Sequence, residues 1–198
     1  MQSVTTLPTG YKPDRVLDFS KNKVLLASLT LASLVAFFLF GTFFLLIASK
    51  ISPFLGPNGR IVITLPILLK DLLVVIAITL LVMVVHEFIH GIFFWIFTRS
   101  QPKYGFKGLY AYAAAPDWYI PRNQFLVIGL APLIILTLLG LVSLTFLPFT
   151  GAIIVVFAMT MNAAGAVGDI FVVGLSLTKP TNSLFRDFGN GIALYKLE

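Results

Sequence analysis

One short run, "HEFIH" at 86–90, places His86, Glu87 and His90 inside the oily stretch "LLVVIAITLLVMVVHEFIHGIFFWIF" (72–97). On a helix, residues four apart share a face, so the imidazoles of His86 and His90 converge and can share one metal ion. Glu87 lies on the edge of that face, three residues before His90, where a carboxylate can activate a water as general base. The chain has two histidines and no cysteine. Thiol ligands and disulfides are therefore excluded. A catalytic zinc site needs three protein ligands and an open position, so the third ligand here has to be a carboxylate. The bland alternative is a polar cluster that joins helices through hydrogen bonds, which would not require this order of residues.

Most carboxylates fall in tails or loops: Asp14, Asp18, Asp187 and Glu198 near the ends, Asp71 at a helix start, and Asp117 in the turn "APDW". Only Asp169, in "MNAAGAVGDIFVV" (161–173), sits within an apolar span. No lysine or arginine shares its depth, and a charge in mid-span is functional by default. Asn162, Gly165, Ala166 and Asp169 follow the spacing of one helical stripe, small and polar. Asn162 suits either of two roles, donation to a substrate carbonyl or hydrogen bonding between helices.

The elements that must carry these residues follow from composition. The chain of 198 residues is 58% hydrophobic and 11% charged, with a mean hydropathy of +0.97, which points to an integral membrane protein. No acidic or basic residue lies between Lys23 and Lys50, only Glu87 between Asp71 and Arg99, and none between Arg122 and Asp169. Each stretch exceeds the roughly 20 apolar residues that cross about 30 Å of hydrocarbon, and the last is long enough for two crossings around "LPFTG" (147–151).

The expected fold is an all-α integral membrane domain of four transmembrane helices near 24–49, 72–98, 124–147 and 152–178, with one domain over 1–198. A short cytosolic β-hairpin is expected between helices two and three, in the Tyr- and Gly-rich loop 99–123. The second helix has an alternative opening at Pro66. The C-terminal tail "RDFGNGIALYKLE" (186–198) has a "GNG" turn and then a short apolar run, so a strand folding back is one reading and a solvated tail is the favoured one.

Basic residues set the orientation. Lys12, Arg15, Lys21 and Lys23, then Arg99, Lys103, Lys107 and Arg122, then Lys179, Arg186 and Lys196 fall on one side, against Lys50, Arg60 and Lys70 on the other. The positive-inside rule makes both termini cytosolic and places the site toward the cytosolic side of the membrane. The net charge of +6 matches anionic lipid headgroups, with no basic patch suited to nucleic acid. Helices two and four then run parallel. At 1.5 Å per residue, His86, His90 and Asp169 lie about 18, 12 and 14 Å from the cytosolic ends of their spans, in one layer.

"HEFIHG", "YGFKG", "AYAAAP", "GLAPL" and "NAAGAVGD" together resemble the compact bacterial membrane family named "putative zincin peptidases". In motif they are also similar to intramembrane site-2 protease zinc metalloproteases. The likeness runs from about residue 70 to the end. It implies zinc on His86, His90 and Asp169, Glu87 as base, Asn162 beside the substrate carbonyl, and a membrane protein or peptide as substrate. Gly165 stands where site-2 proteases have a proline after the asparagine. A non-catalytic zinc-binding membrane scaffold is the competing reading, and the two part at Glu87.

Overall fold

The computed structural model describes residues 1–55, 69–107 and 110–198. An opening of the second helix at Pro66, Arg60 on the far side, and the tip of the expected hairpin lie outside the described residues. The elements in chain order are β1 (Tyr11–Asp18), α1 (Lys23–Ile51), α2 (Leu69–Thr98), β2 (Lys103–Lys107), β3 (Tyr110–Ala114) and β4 (Ile120–Pro121). They continue with α3 (Arg122–Ser143), α4 (Phe149–Gly165), α5 (Val167–Leu177), β5 (Leu184–Asp187) and β6 (Gly191–Leu197).

Among the described residues, α1, α2 and α3 are long and apolar enough to cross a membrane, and α4 with α5 make a fourth crossing if the bent pair is one span. Large apolar side chains such as Leu31, Phe38 and Leu39 on α1 and Leu73, Leu81 and Phe88 on α2 stand exposed. Hydrocarbon is the solvent such a surface fits, which is consistent with a multi-pass membrane protein. Inside, Phe44, Ala48, Leu144, Ala152, Val156 and Met159 pack α1, α3 and α4 together.

Two expectations need correction. The span 152–178 is not one helix: it breaks between Gly165 and Val167 and bends by 45°. Ala166 takes φ −72° and ψ 0° and donates its N–H to the Asn162 carbonyl, closing α4 before α5 begins. Glycine weakens a helix interior, and Gly165 falls where the turn gives way. The stripe from Asn162 to Asp169 is therefore split, and Asp169 occupies the first turn of α5.

The fold is also not all-α. The β2–β3 hairpin is present, pairing Lys103–Lys107 with Tyr110–Ala114. In addition, both tails enter a four-stranded antiparallel sheet of order β1-β6-β5-β4. The C-terminal tail does not stay in solvent, because its apolar residues fill the core. Leu184, Phe185, Ile192 and Leu194 are buried, and Phe185 stacks on Phe125 of α3 at 4.8 Å. Phe94 of α2 and Ile120 of β4 join the same core, so the sheet closes the end of the helix bundle nearest the histidines.

An ion cluster ties this sheet to the segment that follows α5. Asp14 of β1 accepts from Lys179 at 2.7 Å and Lys196 at 3.1 Å, and these hydrogen bonds hold its carboxyl below the usual carboxylate range. Its folded value lies below its unfolded one. The cluster thus contributes stability above the unfolded value and loses it as pH falls through the folded value. Asp14→Asn is expected to speed β1 amide exchange roughly twofold to fivefold near neutral pH, with the difference closing in acid. Equal exchange in both proteins at neutral pH would contradict this.

Candidate metal centre

α2 presents His86 and His90 one turn apart, both buried, with ring centroids 4.9 Å apart. The break after α4 turns Asp169 toward them. Its Oδ2 lies 3.0 Å from His86 Nε2 and its Oδ1 lies 3.5 Å from His90 Nε2. Among the described residues these three form the group able to hold a metal, with one ligand atom from each and all within 4.8 Å of one another. The structure thus brings together the residues that sequence depth placed in one layer.

The other ring nitrogens show which atoms face the centre. His86 Nδ1 donates to Asn162 Oδ1 at 2.8 Å, and His90 Nδ1 donates to the Ile128 carbonyl at 2.9 Å. A backbone carbonyl only accepts. The Asn162 amide is oriented by its NH2, which donates to the Pro132 carbonyl at 3.3 Å. With both protons on Nδ1, both Nε2 lone pairs face the Asp169 carboxylate. Either a metal ion between these acceptors or a proton on Nε2 satisfies them at such distances. Two neutral imidazoles and a carboxylate, with Nδ1 held by outer partners, are a donor set that fits zinc.

Glu87 lies beside this group, half-buried, and its Oε2 accepts the N–H of Ala113 on β3 at 2.8 Å. The hairpin that brings Ala113 there is seated by Tyr104. A side chain at Gly91 would meet the Tyr104 hydroxyl at 1.8 Å, so only glycine leaves the tyrosine room against α2. Tyr112 covers Gly189 in the same way: a Cβ there would lie 2.4 Å from its ring, and Gly189 has a φ of +86°.

One cavity of about 480 Å³ takes in His86, Glu87, His90, Asn162 and Asp169, with walls from all three of α1, α2 and the hairpin. Asn162 is buried, with both ends of its amide engaged. Asp117 is outside this group; it is exposed and pairs with Lys103 at 2.8 Å. Asp187, counted from sequence as part of a solvated tail, lines the cavity. Its Oδ1 accepts the Gly189 N–H at 2.8 Å, and desolvation pushes its carboxyl up to about 7. The only signal for it was the "GNG" turn (189–191), which returns the chain as a strand. Ile128 was also missed, because a backbone carbonyl leaves no mark in residue type.

The profile of a known family, described as "Putative zincin peptidase", matches residues 79–184, over half of the chain and including all five residues grouped above. No curated protein and no solved structure matches the chain. The family implies zinc as the metal and a peptidase of the metal-dependent kind. On the strength of that match, the chain belongs to the family of "putative zincin peptidases".

Proposed function

We propose that this protein is a membrane-embedded zinc endopeptidase that cleaves membrane-associated polypeptides near the cytosolic boundary. One observation carries the reading: His86, His90 and Asp169 converge in a cavity that also holds Glu87. When bound by these three side chains, zinc supplies Lewis-acid polarisation of a carbonyl and a lowered pKa for water. Glu87 is the base, taking the proton of the attacking water and returning it to the leaving amine. Its hydrogen bond from Ala113 occupies one oxygen and leaves the other for that proton. Asn162 orients His86 in this scheme. The substrate-carbonyl role expected for Asn162 has to rely on the second N–H of its amide, because Pro132 holds the first.

A helical substrate hides its peptide bonds, so the segment to be cut must be extended. β3 offers an edge for it. The Ala113 N–H points away from β2, toward Glu87. Strand geometry repeats every second residue, so the Ala111 N–H points the same way into the cavity. An extended peptide can pair there by strand addition, next to the base. Ala111→Pro removes that donor and is expected to lower kcat/KM on a polypeptide substrate by about tenfold, with zinc content unchanged. Unchanged kcat/KM would remove the hairpin from substrate binding.

The proposal as a whole is tested by purifying the protein in detergent, loading zinc, and following cleavage of membrane-protein substrates beside the Glu87 variant considered below. Cleavage by neither protein would argue for the scaffold reading, and cleavage by both alike would remove Glu87 as the base.

A further inference from the structure

Pro132 lies inside α3, where prolines are disfavoured, and it is fully buried. A proline has no N–H to give the carbonyl four residues before it, which here belongs to Ile128. That carbonyl is the one that receives His90 Nδ1–H at 2.9 Å. The carbonyl of Pro132 itself receives the Asn162 amide at 3.3 Å, and Asn162 receives His86 Nδ1–H at 2.8 Å. Both imidazoles are therefore anchored to one turn of α3, His90 directly and His86 through Asn162.

We infer that Pro132 is a positioning residue for the metal centre: by lacking an N–H it reserves the Ile128 carbonyl for His90, so that the imidazole turns Nε2 toward Asp169. The inference rests on the zinc reading of His86, His90 and Asp169. The competing view is that Pro132 merely shapes α3. Any other residue at 132 would restore an N–H aimed at the Ile128 carbonyl, in competition with His90. Partners one layer outside a metal's ligands set its affinity by about 10–100-fold.

The test compares Pro132→Ala and Pro132→Gly with wild type as full chains in detergent, reading zinc affinity by competition with a chelating indicator and melting temperature without metal. Alanine favours a helix and glycine does not, so the two variants separate helix stability from the restored N–H. Both variants are expected to lose zinc affinity by about tenfold or more, to the same degree, although alanine melts higher than glycine. An unchanged affinity in Pro132→Ala, or a loss that follows melting temperature, would overturn the inference. Nitrogen NMR of wild-type zinc protein gives a reading that does not depend on the variants folding. The His90 ring is expected as the Nδ1–H form with Nε2 on the metal, and ligation through Nδ1 would overturn the inference. Wild-type protein that binds no zinc would instead overturn the metal reading and this inference with it.

Discussion

Glu87→Gln is expected to lower peptide-bond cleavage by about 10²–10⁴-fold while zinc content and melting temperature stay at wild-type levels. Glutamine has the shape of glutamate, and its amide oxygen can still accept the Ala113 N–H, so the hairpin keeps its seat on α2. What it lacks is a site for a proton at neutral pH. The three side chains facing the metal position belong to other residues, so metal binding should not follow activity down. Paired measurements of turnover and zinc content in the same preparation check this. A variant that cleaves as fast as wild type would remove Glu87 as base, and one that also loses zinc would make its role structural.

The meeting of His86, His90 and Asp169 was legible in the sequence because it depends on local rules. Helical spacing puts the two histidines on one face, and the hydrophobic spans set the depth of all three residues. The β2–β3 hairpin was legible for a similar reason, since its strands lie next to each other in the chain. The sheet from the two tails was not. Tyr11 pairs with Leu197 across almost the full chain, and no local pattern reveals such a partner. The break at Ala166 was hidden because glycine and alanine also suit close helix packing, which favours an unbroken span equally well. The outer layer around the histidines stayed hidden as well. Ile128 acts through a backbone carbonyl, and Asp187 reaches the cavity only because β5 and β6 fold back over it.

Asp169→Ala is expected to lower zinc affinity by more than about 100-fold, beyond the effect of losing an outer partner. Asp169 is the one carboxylate facing both Nε2 atoms, and its removal leaves two neutral imidazoles with no compensating charge. Alanine suits the first turn of α5, so the bend and the bundle should persist, and loss of metal would not reflect loss of fold. His86→Ala should behave alike, leaving His90 and Asp169 too few to hold zinc through purification. The central claim is that these three residues hold the metal that Glu87 works beside. Its most direct test is zinc content per chain by elemental mass spectrometry, for wild type, Glu87→Gln, His86→Ala and Asp169→Ala purified identically after zinc loading. The account predicts about one zinc per chain in the first two and little in the last two. Full zinc occupancy in Asp169→Ala, or none in wild type, would contradict it.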